Sequence, residues 1–536
     1  MTNFADFWGT AGKKFKVQSA SWRTKFKIKE WIISFWKKIK LVFSVIGDFF
    51  RRLFRLPKIL NRRDKIALLI LIAILLGLLG YKFDRDWLSK TKKIPASGGT
   101  YQEVLIGEAK YLNPILAKSD TDRTINRLLY SGLTKIDRTG AIVPDLAKDW
   151  QISADGKSYT FNLKPGISWH DGAPFTSADV AATIEAIKNQ NIKSPYYDSW
   201  KDVQVETPSE GVVVFTLPDS YGPFIYNTLV GIIPSHLDSA SISSLPVGSG
   251  MYKFSKVESG KNGKIKKVFL KSNEQYFDQK PFISEVVFEI ADDEETAKDV
   301  FNSRGTTAIA GVKVEGKEIN NYSFSTSRYF GLIFNLHDDK FKDESIRKKI
   351  STSAKAGMEG KVGEKFEPEF EFRLLTLDKP LPLTQAEEIK SNFAQFGIKV
   401  NIDKKSAIDY QKILEKRSFQ VLLYGFDAGY DRDPYPFWHS SQAASGTNFS
   451  GFSDKAADIL LEDARMTVDG VVRNQKYDQF FAIINDKVPA IFYPSQEFQL
   501  SIKNSVFGIE TLKGNEPQDH LNSIADWYIK TKRVKP

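Results

Sequence analysis

The sequence predicts a mixed α/β protein of more than one domain, carried on an N-terminal hydrophobic segment. Three observations lead there. The chain has 536 residues, more than a single hydrophobic core usually organises. Residues 370–377 alternate like a strand, a helical pattern follows, and Ile398, Val400 and Ile402 alternate again, which is the order of a βαβ unit. Residues 66–81 read IALLILIAILLGLLGY between Lys65 and Lys82, the composition of a membrane-entering segment.

Charge separates the N-terminal tail from the rest. Residues 1–65 hold 17 Lys and Arg against four acids, a net +13, so residues 66–536 carry −2 of the total +11. A nucleic-acid partner for the large domain therefore has no electrostatic basis. With 42% apolar residues the chain can bury a core, and with no cysteine it has no disulfide framework, thiolate zinc site, thiol nucleophile or lipidated N-terminal cysteine.

Along residues 22–60, Ile28, Ile32, Phe35, Ile39, Val42, Ile46, Phe49 and Leu53 recur at spacings of three and four with Lys and Arg between them. This is the pattern of an amphipathic helix lying on anionic lipid. The alternatives are a helix packed on a permease subunit or a DNA-binding arm, the latter disfavoured by the adjacent anchor. Residues 66–83 are expected to be an uncleaved transmembrane anchor rather than a signal peptide, because 65 residues precede the run and no A-x-A site follows. The positive-inside bias puts residues 1–65 in the cytoplasm and the remainder outside. Membrane lipids are thus expected partners of residues 20–83, and residues 84–99, polar and ending in Pro, Ser and Gly, read as a linker.

Farther on, Thr176 and Asp179 form a capping box before Val180, Ile184 and Ile187. In the second half, Thr384 and Glu387 are expected to cap a helix that Gly397 stops, and residues 419–424 read as a further strand. Gly248-x-Gly250 lacks the third glycine and the Lys-Ser/Thr of a phosphate loop and reads as a structural turn. The acids at 292–295 suit a helix start. The five histidines are scattered without a metal-ligating pair, and no G-x-S-x-G elbow occurs. No metal, cofactor or catalytic residue is expected.

The stretch 145–180, DLAKDWQISADGKSYTFNLKPGISWHDGAPFTSADV, resembles the signature of the family 5 extracellular solute-binding proteins, receptors for oligopeptides, dipeptides and some nickel complexes. Its turns Asp155-Gly156 and Asp171-Gly172, its aromatics and its capped helix come in the family's order. Residues 112–114, 129–133, 245–254, 273–288, 329–335, 433–439, 448–454 and 488–493 resemble further family blocks, so the likeness spans roughly residues 100–536. It implies a type II periplasmic-binding-protein clamshell of the large peptide-binding class. Lobe I would take 100–335 with an inserted subdomain, lobe II 336–498, and residues 499–536 would return to lobe I. It also implies an ABC permease partner, a peptide or peptide-like solute, and no enzyme activity.

Site candidates concentrate in residues 424–439, YGFDAGYDRDPYPFWH, which follow a predicted strand where α/β ligand clefts open. Aromatic surface and carboxylates there can seat varied side chains and an amine. The expected ligand contacts are Tyr424, Gly425, Phe426, Asp427, Tyr430, Asp431 and Phe437, joined by Tyr130, Asn335 and Asn448; plain core packing is the alternative for Phe437. Tyr430 stands where peptide receptors of the family carry an amine-holding aspartate, and Asp427 and Asp431 flank it. The remaining alternatives are the same clamshell binding a metal chelate or oligosaccharide, or serving as a solute sensor, and an exported hydrolase.

Overall fold

The computed structural model describes residues 61–89, 91–238, 245–303, 305–361 and 363–535. It divides into two compact units, one holding the N-terminal helix and the other comprising Lys93–Lys532. In the first, Arg62–Ser89 is a single α-helix of 28 residues, about 42 Å long at 1.5 Å per residue. Over Arg62–Lys82 it is the one helix among the described residues long and apolar enough to cross a membrane. The segment expected as a linker is more regular than that: the helix runs to Ser89, and Lys92–Ala96 is a strand. The basic amphipathic stretch at 22–60 lies outside the described residues.

The second unit is built on three larger sheets. Thr100–Ile106 lies inside a seven-stranded sheet with parallel neighbours Glu285–Ala291 and Ala308–Ala310. Glu497–Lys503 returns from far along the chain to lie antiparallel between Ala308–Ala310 and Ile319–Ser325. A four-stranded antiparallel sheet holds Ala147–Ile152, Ser158–Leu163, Val212–Thr216 and Gln204–Ser209. Its inward alternation of Tyr159, Phe161, Val213 and Phe215 packs with Trp169, Trp200 and Phe224. This core continues to Tyr101 and Trp527 beside the seven-stranded sheet.

The five-stranded sheet runs in the order Ile398–Lys405, Phe370–Leu377, Val421–Asp427, Arg328–Phe334, Ala490–Phe492. Phe370–Leu377 and Ile398–Lys405 are adjacent and parallel, joined by the helix Pro380–Ala394, so the βαβ expectation matches the structure. Because side chains alternate along a strand, each face builds its own core. Leu332, Phe334, Phe372 and Leu374 pack on Ile389 and Phe393. On the other face Ile333, Leu375, Leu422 and Phe426 pack on Trp438, Leu461, Phe480 and Ile484.

The capping box at Thr176 forms and opens the helix Ser177–Lys188. Asp293 caps Glu294–Asn302, as the acidic run implied. The cap expected at Thr384 does not form, because the helix begins at Pro380 after Lys379. Proline fits the first helical position, where no intrahelical N–H bond is lost. Thr384 lies a turn inside and its hydroxyl donates to the Pro380 carbonyl at 3.1 Å. The strand expected to end at Tyr424 runs on to Asp427, since Arg328–Phe334 pairs with it through Arg328↔Asp427.

Candidate ligand-binding site

A cavity of about 610 Å³ lies in the second unit, walled by the helix Asp120–Leu129, the segments around Tyr226 and Tyr276, residues 427–430, and residues 516–526. The helix is fastened at its start. The Ser119 hydroxyl accepts from the Asp122 amide at 3.0 Å, and Asp122 Oδ1 accepts from the amides of Lys110 and Tyr111 at 2.8 and 3.0 Å. Asp120 and Asp122 also suit the positive end of the helix dipole.

Four residues on this lining hold polar side-chain atoms without a hydrogen-bond partner in the protein: Asn126 Oδ1, Asp145 Oδ1, Gln518 Oε1 and Arg123 Nε. The first three residues are only 5%, 4% and 8% exposed. Asn126 donates Nδ2–H to the Tyr111 carbonyl at 2.8 Å, while its oxygen has no donor. Asp145 Oδ1 has Lys135 Nζ at 3.4 Å as an ion pair. Each such atom costs about 1–3 kcal/mol while unsatisfied. The atoms themselves have almost no accessible surface, so an N–H or ammonium donor meets them only where the lining shifts.

At one end of the cavity Arg328 gathers three carboxylates. Its guanidinium meets Asp120 through two nitrogens at 2.6 and 2.7 Å, Asp427 Oδ2 at 3.1 Å and Glu516 Oε2 at 3.0 Å. Arg123 adds a second cation on Asp120 at 2.6 Å. Burial, and then the Asp427 carboxylate, push Glu516 up to about 7 against the pull of Arg328. Asp120 moves the other way: burial opposes ionisation, but Arg328 and Arg123 together hold it below the usual carboxylate range. Arg328 and Asp427 sit on the five-stranded sheet, whereas Asp120 and Glu516 lie on elements packed with the seven-stranded one.

Of the residues singled out in sequence, Tyr130, Asp427 and Tyr430 line this cavity. Tyr130 donates its hydroxyl to the Leu112 carbonyl at 3.1 Å. Tyr430 donates to Asp519 Oδ1 at 2.9 Å; burial and that carboxylate hold its phenol protonated well above its ordinary range. Tyr430 and Asp431 also line a second cavity of about 490 Å³. Asp431 is already engaged: Arg473 meets its Oδ1 at 2.6 Å and Tyr477 donates to its Oδ2 at 2.9 Å.

The other six face neither cavity. Asn335 donates to the carbonyls of Arg417 and Phe419, and Asn448 ties together the carbonyls of Trp438, His439 and Phe452. Phe426 is core, stacked on Tyr329 at 5.0 Å, and Tyr424 and Phe437 pack beside it. Gly425 sits mid-strand opposite Phe330. The residues that sequence reasoning missed are Asn126, Asp145, Arg328, Glu516 and Gln518. Only the Ser119–Asp122 capping box, which announces the helix carrying Asn126, left a sequence signal.

On another side of the unit, residues 220–222 lie against 465–467. The Gly222 amide donates to the Arg465 carbonyl at 2.7 Å and the Ser220 hydroxyl to that of Met466 at 2.9 Å. A Cβ on Gly222 would stand 2.0 Å from the Thr467 carbonyl oxygen, so only glycine permits the approach.

Residues 141–354 match the model of the bacterial extracellular solute-binding proteins, family 5 Middle. The chain is 24% identical to the oligopeptide-binding protein AppA of Bacillus subtilis (strain 168), an alignment covering 86% of this chain and 97% of that one. The solved AppA of Bacillus subtilis in complex with a nonapeptide shares the fold with a TM-score of 0.62 at 20% identity, covering 82% of this chain and 100% of that one. NikZ from Campylobacter jejuni in complex with Ni(L-His) shares it with a TM-score of 0.64 at 24% identity, covering 80% and 99%. The matched middle region, the near full-length relative and the shared mixed α/β fold agree with the turn-and-aromatic signature of residues 145–180: over residues 141–354 this chain matches the family 5 bacterial extracellular solute-binding proteins, and over most of its length it is similar to an oligopeptide-binding protein.

Proposed function

We propose that the protein is a membrane-anchored, extracytoplasmic substrate-binding protein of an ABC importer that takes a peptide or peptide-like solute into the 610 Å³ cavity. The observation that carries this reading is a cavity whose lining joins the unpaired acceptors of Asn126 and Gln518 to the carboxylate of Asp145, which has only Lys135 at 3.4 Å. A peptide brings ammonium and amide N–H groups to such atoms, and its carboxylate has Arg123, Arg127 and Lys135 within the same lining. The relative named for oligopeptide binding supports the solute class.

In this reading residues 100–335 and 499–536 form one lobe and 336–498 the other, and the solute closes them because it binds the closed arrangement better than the open one. Tyr130, Asp427 and Tyr430 touch the solute; Tyr424, Gly425, Phe426, Asp431, Phe437, Asn335 and Asn448 hold the surrounding frame. The helix Arg62–Ser89 anchors the receptor, with residues 1–65 on the cytoplasmic leaflet, and so keeps it concentrated near its permease.

Native mass spectrometry of the full chain in detergent, followed by a thermal-shift panel of di-, tri- and pentapeptides, nickel–histidine and oligosaccharides, tests the assignment. Peptides should raise Tm and be found as the retained species. Stabilisation by nickel–histidine alone would select a second reading, suggested by the fold shared with NikZ, in which a chelate brings its own metal donors. Stabilisation by oligosaccharides alone would end the peptide assignment as well.

A further inference from the structure

We infer that Tyr226 and Tyr430 form a gate between two chambers and thereby set the length of peptide the protein accepts. This rests on the peptide reading above. The cavities of about 610 and 490 Å³ share two lining residues, and these are Tyr226 and Tyr430. Their rings stack with centroids 6.1 Å apart and planes 9° from parallel, an offset arrangement of the favoured kind. The pair is therefore the partition between the chambers.

The two leaves are held differently. Tyr430 is pinned by its hydroxyl to Asp519 Oδ1 at 2.9 Å. Asp519 is itself held, since its Oδ2 accepts from the amides of Asn515 and Glu516 at 2.9 and 3.0 Å. Tyr226 is half-buried on the one-turn helix Phe224–Asn227, and the ring stack is what holds its side chain. Tyr226 is the leaf that moves.

The chambers also differ in chemistry. The first carries the unpaired acceptors of Asn126 and Gln518 and the Asp145–Lys135 pair. The second offers Arg432, Asn474, Asp478 and Phe481 around the Asp431–Arg473 pair, a surface for charged or apolar side chains and not a dedicated end-group site. With the stack intact a ligand is confined to the first chamber, whose volume is in the range of about 300–1,000 Å³ usual for small-molecule sites. A chain that grows by about 3.3–3.6 Å per residue must turn Tyr226 aside to continue into the second. Short peptides bind without that displacement; longer ones bear its cost.

The test is isothermal titration of the full chain in detergent with di-, tri-, penta- and heptapeptides of one composition, for the parent, Tyr226→Ala and Tyr430→Phe. The parent should bind the tripeptide about ten-fold more tightly than the pentapeptide, and Tyr226→Ala should bring the two within about threefold. Tyr430→Phe keeps the ring but frees it from Asp519, and should move the ratio the same way by less. A tripeptide-to-pentapeptide ratio unchanged in both variants overturns the gate. So does loss of binding at every length in Tyr226→Ala with no change of ratio in Tyr430→Phe, because the ring is then a ligand contact and not a barrier. A parent that binds no peptide at all overturns the peptide reading itself, a result in hand before either variant is made.

Discussion

The two walls of the larger cavity are built on opposite principles. On the loop wall the polar groups are engaged: Asp427 meets Arg328 and Tyr430 donates to Asp519, and the next residue, Asp431, which faces the second cavity, is held by Arg473 and Tyr477. On the facing wall, made by the helix Asp120–Leu129, Asp145 and residues 516–526, buried polar atoms of Asn126, Gln518 and Arg123 lack hydrogen-bond partners, and Asp145 Oδ1 has only Lys135 at 3.4 Å. A satisfied wall shapes a site, and an unsatisfied one has unspent capacity to bind. The carboxylates that stand out in the sequence belong mostly to the first kind.

The sharpest way to break that contrast is on the loop wall. Asp431→Ala should destabilise the fold by about 3–5 kcal/mol, because it strands a buried guanidinium; the Arg473 and Asp431 side chains are only 4% and 9% exposed. Asp427→Ala, at a side chain 50% exposed, should cost under about 1 kcal/mol. Urea unfolding followed by tryptophan fluorescence measures both. Equal effects would mean that the two aspartates do not divide as described.

Glu516, where the walls meet, tests the contrast through pH. Its folded value of about 7 lies above its ordinary 4.5, so its contribution to stability is fully present below pH 4.5 and is lost as pH rises through 7. The loss between pH 4.5 and 8 should approach about 3 kcal/mol. Glu516→Gln should remove that part of the profile and leave the parent less stable than the variant at pH 8. Parallel profiles for the two proteins would show that Arg328 neutralises Glu516 fully and that the cluster does not titrate.

The smallest effect is expected on the unsatisfied wall. Gln518→Met removes an unpartnered oxygen and should raise stability by about 1 kcal/mol while weakening solute binding about ten-fold. Thermal unfolding and calorimetry read the two signs. If both fall together, Gln518 is a packing residue and the wall is not a binding face.

Much of the frame was legible because its signals are local. The capping box at Thr176, the alternation of 370–377 and that of Ile398, Val400 and Ile402 each depend on residues within a turn or two of one another, and each formed where expected. The site was less legible because its logic is long-range. Asp431 looked like a free carboxylate until Arg473 arrived from 42 residues away. Asn335 and Asn448, plausible ligand amides in sequence, are consumed by backbone carbonyls, those of Arg417 and Phe419 far along the chain for Asn335 and those of its own loop for Asn448. Nothing near Gln518 marks its oxygen as unpaired, since that is decided by which groups fail to reach it. The strand through Tyr424 was cut short for the same reason: its last residues are strand because Arg328–Phe334 lies beside them.

The contact of residues 220–222 with 465–467 gives the molecule two fastenings of unlike temperament. One is the Arg328 cluster, made of charges, and it will answer to acid and to added salt. The other is carried mainly by neutral donors on backbone carbonyls, the Gly222 amide and the Ser220 hydroxyl, with the Arg465 guanidinium over the Tyr221 ring at 5.5 Å, and has no carboxylate to titrate. A shift in acidity or salt would therefore work far more on the first clasp than on its counterpart.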